Sequence, residues 1–213
     1  MSLLNTNLWH IYQIWLGILR SNKLLFLFII MMRHTHSSAN PYTDDFISRL
    51  VTSSLKTQLE KLQSLVIDQP FIDLGAGSAD NGYILARLLC ASEYIGVERY
   101  HFKQLRDSLH NSQLAGFIPS QVVGKDMLDF LQSQDDESAS LIYAGAIDTV
   151  ILGPRDAYVE KIDYEINRIL KVGSQYISFR SSLLDLEIQK TEAVPRFSID
   201  ELYSDTHVLT KIR

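Results

Sequence analysis

Cysteine is almost missing from this chain: Cys90 stands alone among 213 residues. No intramolecular disulfide can form, and a reducing compartment, most simply the cytoplasm, is implied. No Cys/His spacing has the form of a zinc site, so no metal is expected; the His34-x-His36 pair has no third ligand in view and reads as solvated linker. An excess of positive charge is lacking too. With 25 acidic against 20 basic side chains the net charge is -5, which leaves no broad electrostatic footprint for nucleic acid. Internal repeats are absent. So is an apolar run long enough to span a bilayer: residues 8–32 are strongly apolar, but Arg20, Ser21, Asn22 and Lys23 divide them, and Leu24–Met32 is far shorter than the roughly 20 residues a transmembrane helix needs. That segment reads in three ways: a membrane anchor in which Arg20 and Lys23 snorkel, an export signal, or upstream codons before a start at Met31 or Met32. Membrane contact through residues 8–32 is therefore one expectation, and export fits least.

What is present is an ordinary globular composition, 46% apolar and 21% charged, enough to bury one core. Three regions follow: the hydrophobic segment 1–33, a linker with an amphipathic helix at 34–69, and a main domain at 70–213. The helix is read from apolar residues at Phe46, Ile47, Leu50, Val51, Leu55, Leu59, Leu62 and Leu65. Beyond Pro70 the pattern alternates. Strands are expected at Phe71–Leu74, Tyr94–Val97, Gln121–Gly124, Ile147–Leu152 and Gln175–Phe179, and helices at Asn81–Cys90, Tyr100–Gln113, Met127–Gln132 and Tyr158–Leu170. Strands joined by helices imply right-handed crossovers and a doubly wound α/β fold with a mostly parallel sheet. The acidic run Ser133–Ser138 reads as a solvated loop. After a further helix near Leu183–Gln189, strands at Arg196–Tyr203 and His207–Ile212 flank Ser204-Asp205-Thr206, so the sheet is expected to end in an antiparallel hairpin.

The informative segment is Asp73-Leu74-Gly75-Ala76-Gly77-Ser78-Ala79-Asp80, a glycine turn between a strand and a helix. Ligands of such folds settle at the carboxyl ends of the strands. A dinucleotide fingerprint would place a third glycine at position 80, where this chain has Asp80. A carboxylate there competes with a pyrophosphate for the helix amides and repels it, which disfavours NAD and FAD. S-adenosylmethionine carries no phosphate and escapes the objection. Glu98 ends the second strand, 25 residues beyond Asp73, where a carboxylate can accept both hydrogens of a ribose diol. Asp126 follows the third strand and can accept from an adenine amino group, with Met127 covering the ring. Asp73 can face the methionine amine directly or through water. The cofactor-binding candidates are thus Asp73, Gly75, Ala76, Gly77, Glu98, Asp126 and Met127.

These motifs resemble the class I S-adenosylmethionine-dependent methyltransferases. Asp73-Leu-Gly-Ala-Gly-Ser-Ala79 matches their first motif except that Ala79 replaces its usual last glycine; Gly96-Val97-Glu98 matches the second and Lys125-Asp126-Met127 the adenine site. The resemblance covers Phe71–Arg213 and implies a seven-stranded Rossmann-like sheet with a terminal hairpin. The segment Thr149–Asp156 lacks the Asn/Asp-Pro-Pro-Tyr/Phe box of many base-amino methyltransferases. Pro41-Tyr42 and Leu170–Ser178 look instead like the non-SET protein-lysine methyltransferases, some of which place a hydrophobic segment before a Pro-Tyr or Pro-Phe motif. Transfer of a methyl group to a protein lysine is the reading this implies, with Tyr42, Arg155 and Asp156 as substrate-face candidates. A small-molecule methyltransferase and a non-catalytic binding module with this fold are the alternatives.

Overall fold

The computed structural model describes residues 69–77, 80–101, 103, 105–107, 109, 118–147, 157–179, 181–184, 196–203 and 206–213. All lie in the unit Thr57–Arg213. Tyr42, Arg155 and Asp156, the amphipathic helix of residues 45–66, residues 8–32 and Ala79 fall outside the described residues, as do residues 185–189 of the helix expected near 183–189 and several residues of the one expected at 100–113.

In chain order the elements are β1 Pro70–Leu74, α1 Asp80–Leu88, β2 Glu93–Val97, β3 Ser120–Val123, α2 Met127–Gln132, β4 Ala139–Gly145, α3 Ala157–Ile169, β5 Leu170–Phe179, β6 Phe197–Tyr203 and β7 Thr206–Lys211. They form one seven-stranded sheet of order β3-β2-β1-β4-β5-β7-β6. The first five strands run parallel, and β7 pairs antiparallel with both β5 and β6. The doubly wound sheet ending in an antiparallel hairpin is therefore as the sequence implied. Among the described residues, no helix is long and apolar enough to cross a membrane.

β1 is buried on both faces, as a central strand of a parallel sheet must be. Its alternate residues split the interior. Ile72 and Leu74 join Phe130, Leu131, Ile142, Ala144, Val159, Ile162 and Ile166 in the core beneath α2 and α3. Phe71 and Asp73 point to the opposite face, where Phe71 stacks on Tyr94 and tilts against Tyr143, and Tyr83 meets Tyr94 edge-on at 5.3 Å.

The fourth strand corrects the sequence reading. It is Ala139–Gly145, a segment not read as a strand, with Ile142 beside Ile72 and Ala144 beside Leu74; residues 148–152 of the strand expected at Ile147–Leu152 lie outside the described residues. Periodicity does not assign an apolar run this short. β4 follows a turn closed by Arg168: its guanidinium donates to the Leu131 and Gln134 carbonyls at 3.0 and 2.9 Å, and pairs with Glu165 and Asp136. The acidic run of residues 133–138 is thus a loop, as expected, but one pinned to α3. Ile147, read as a strand residue, lies just past β4 and is buried against the glycine turn.

At the opposite end of the sheet Lys211 is buried. Its ammonium donates to the carbonyls of Asn167 and Leu170 at 2.9 and 2.7 Å, with Glu137 3.7 Å away. These carbonyls belong to the last turn of α3 and the residue after it, where partial negative charge collects, so β7 is fastened to α3 by a charge-assisted cap. Replacing Lys211 by Met, which keeps the aliphatic stem and removes the donor, is expected to lower unfolding free energy by about 1–3 kcal/mol; the urea midpoint checks it.

Candidate active site at the carboxyl ends of the strands

The turn after β1 has a backbone that ordinary side chains resist. Gly75 and Gly77 sit at φ +66° and +54°, in the left-handed region where glycine carries no Cβ penalty. The amides of Gly75 and Ala76 donate to the Val97 carbonyl at 2.9 and 3.1 Å, which ties the turn to the end of β2. The two glycines differ in what surrounds them. A Cβ on Gly75 would lie 2.6 Å from Ile147 Cδ1, with Met127 Cε 3.8 Å away, whereas a Cβ on Gly77 would meet nothing within 4 Å. One side of the turn is closed by Ile147, and Gly77 faces open space.

Glu98 immediately follows β2 and is 8% exposed. Its Oε2 accepts from the Gly77 amide at 2.9 Å, and its Oε1 from the amides of Tyr100 and His101 at 2.8 and 3.1 Å. The carboxylate thus joins the glycine turn to the segment after β2. A carboxylate offers about four lone-pair positions; these amides use three, and the remaining one is on Oε2, beside Gly77.

Asp126 is the N-cap of α2. Its Oδ1 accepts from the Leu128 amide at 2.9 Å, and its Oδ2 pairs with Arg99 at 3.1 Å. Tyr158, from the start of α3, donates to the same carboxylate at 2.8 and 2.9 Å from the two oxygens. One phenolic proton serves one oxygen at a time, so one acceptor position stays available. Burial first, and then the Asp126 hydrogen bond, hold the Tyr158 phenol above its ordinary range. Arg99 also lies 5.2 Å over the exposed Tyr100 ring. Met127 is half-buried between the glycine turn and the core.

Asp73 is 2% exposed, and Tyr94 Oη donates to its Oδ2 at 2.5 Å. Burial raises its carboxyl from the ordinary 3.8 to about 7; the Tyr94 hydrogen bond opposes the rise and the charge of Glu98 adds to it. The folded protein then holds a proton that the unfolded chain releases. The stability this contributes is whole below about pH 4 and is lost as the pH rises to about 7.

The turn, Asp73, Glu98, Asp126 and Met127 lie at or just past the carboxyl ends of β1, β2 and β3, with Glu98 bonded to Gly77 and Met127 beside Gly75. Sequence reasoning missed Ile147, Arg99 and Tyr158. Ile147 was read as a strand residue, and no local pattern links Tyr158 to Asp126 across 32 residues. Among the described residues, no group of three or more His, Cys, Asp or Glu side chains is placed to hold a metal ion.

No protein-family model and no curated protein sequence matches the chain. Solved structures do. A methyltransferase from Geobacter sulfurreducens aligns at 13% identity and TM-score 0.53, covering 86% of this chain and 94% of that one. A putative S-adenosyl-L-methionine-dependent methyltransferase from Methanococcus maripaludis aligns at 15% identity and TM-score 0.51, covering 73% and 83%. A precorrin-6y C5,15-methyltransferase from Geobacter metallireducens aligns at 15% identity and TM-score 0.50, covering 76% and 90%. The chain spans 43% of the length of other methyltransferases that it matches. At these identities the likeness establishes the fold: this is the α/β fold of the methyltransferases.

Replacing Glu98 by Ala orphans three amides and is expected to cost about 1–3 kcal/mol of stability, measured by denaturant unfolding. Glu98→Gln keeps the shape but only one acceptor oxygen, which can serve Tyr100 and His101 while its NH2 group faces the Gly77 donor; it is expected to recover only part of that loss.

Proposed function

We propose that this protein is an S-adenosylmethionine-dependent methyltransferase. The observation that carries the reading is the placement of three acids, Asp73, Glu98 and Asp126, at or just past the carboxyl ends of β1, β2 and β3, with Glu98 bonded to a glycine turn that lacks a phosphate-binding third glycine.

The residues fit the cofactor. The open space at Gly77 leaves room for the ribose and methionine chain beside the turn. Glu98 retains one acceptor position on Oε2 for a ribose hydroxyl, and a second hydroxyl would take the place of an amide. Asp126 retains one for the adenine amino group, with Met127 alongside. Asp73 is the acid for the methionine ammonium. When bound, the cofactor supplies a methyl group on a sulfonium, which passes to an acceptor lone pair with the bond to sulfur breaking in line. The protein's own work is to bind, orient and exclude water, which can supply most of the acceleration without a covalent residue.

For the acceptor, a protein lysine is the reading that the Pro41-Tyr42 and Leu170–Ser178 motifs support, with Tyr42, Arg155 and Asp156 on the substrate face; such a lysine must arrive neutral, which an apolar channel favours. A small-molecule acceptor is the second reading, favoured by the precorrin substrate in the name of one structural match. The extent of the domains, 1–33, 34–69 and 70–213, and a membrane contact through residues 8–32 belong to the same proposal.

Titration calorimetry is expected to show binding of S-adenosylhomocysteine and none of NAD; NAD binding without S-adenosylhomocysteine binding refutes the reading. Labelled S-adenosylmethionine incubated with the protein and host lysate, with and without membranes, is expected to label a lysine. Label confined to metabolites selects the small-molecule reading, and binding without transfer to any fraction selects the non-catalytic module.

A further inference from the structure

We propose that Tyr94 is the positioning residue for Asp73: its hydroxyl holds the β1 carboxyl as an oriented anion for the cofactor's ammonium group. The inference rests on the methyltransferase reading and deepens it.

Strand register sets the positions of the groups around Asp73. Asp73 pairs with Gly96 of β2 on one side and with Tyr143 of β4 on the other. Tyr94 lies two residues before Gly96 and Tyr143 two before Gly145, so each tyrosine shares a sheet face with its glycine. A Cβ on Gly96 would lie 3.0 Å from Tyr94 Cε1 and 3.3 Å from its hydroxyl, and one on Gly145 would lie 2.2 Å from the Tyr143 hydroxyl. The two rings therefore run along their strands toward the carboxyl ends, over positions that only glycine leaves clear. A third glycine opens the other wall: a Cβ on Gly82 of α1 would lie 1.9 Å from Asp73 Oδ2. Gly82 lies in the first turn of α1, and its absent side chain makes the space that the acid occupies.

Among the described residues, no cation acts on the Asp73 carboxyl. Facing Asp73 are Tyr94 and Glu98 from β2 and Tyr143 from β4, with Tyr83 and Arg87 of α1 beyond Tyr94. Burial and the Glu98 charge both work against the anion, and the Tyr94 hydrogen bond is the influence that favours it. A cationic ligand amine completes the balance: its approach drives the Asp73 proton into solvent. Affinity for such a ligand must then rise with pH until Asp73 is ionised in the free protein, and flatten above that.

The test is titration calorimetry of the full chain with S-adenosylhomocysteine from pH 5 to pH 7.5, where an α-ammonium stays largely protonated. Wild-type affinity is expected to climb up to tenfold per pH unit and to flatten near pH 7, with about one proton released per binding event at pH 6. Tyr94→Phe keeps the ring and its stacking and removes the donor. Its affinity at pH 6 is expected to be about tenfold weaker and still rising at pH 7.5, the mark of a carboxyl held higher once its donor is gone. Gly82→Ala leaves Tyr94 and Asp73 in the chain but pushes the carboxyl off its hydroxyl, and is expected to shift the profile the same way; it keeps the inference testable if Tyr94→Phe does not fold. Asp73→Asn is expected to flatten the profile. Profiles of Tyr94→Phe and Gly82→Ala that superimpose on wild type, or an Asp73→Asn profile as steep as wild type, overturn the inference while leaving the cofactor reading intact. No binding by wild type at any pH removes both.

Discussion

The site depends on the pairing of β1 between β2 and β4 in one register. Asp73 is set against Gly96 on one flank and Tyr143 on the other, and the turn that follows is tied by its Gly75 and Ala76 amides to the Val97 carbonyl. Slip β1 by one residue and Asp73 enters the apolar core under α2 and α3, while Leu74 enters the tyrosine slot. The apolar alternation of Ile72 and Leu74 against Phe71 and Asp73 forbids that slip. The core thus fixes where the acid points before any ligand is considered.

Strand order then does the rest of the positioning. The chain leaves β1 toward β2 and β3, and resumes at β4 on the other flank, so the connections diverge at β1 and open a crevice above its carboxyl end. Glu98 and Asp126 are delivered to that crevice by two strands of the same side. Each acid also has structural work: Glu98 gathers three amides from the turn and the segment after β2, and Asp126 caps α2 and is held by Arg99 and Tyr158. The unfilled acceptor positions are those left once the loops have been tied together. A side chain can therefore build the loops and still keep one position for a ligand.

The far end of the sheet shows the same economy with opposite sign. Lys211 and Arg168 satisfy carbonyls at the ends of α3 and α2 and bring Glu137, Glu165 and Asp136 with them. No acid at this end is left facing a glycine turn, and the charges there serve to join helices to strands.

Much of this was determined by the sequence alone. The alternation of apolar runs and helical spacing specified a doubly wound sheet, the clustered polar residues at 204–206 a hairpin, and Asp80 in place of a glycine the kind of ligand the turn disfavours, because each depends on neighbours within a few residues. The tertiary structure decided what depends on distant partners. It set Ala139–Gly145 beside β1 as β4, since pairing with a distant strand identifies a short apolar run that periodicity does not. It brought Tyr158 to Asp126, Ile147 to Gly75 and Lys211 to the end of α3. It also showed that Gly82, Gly96 and Gly145 clear space for one acid and two tyrosines, because the volume a missing Cβ leaves is defined only by what another strand or helix puts there.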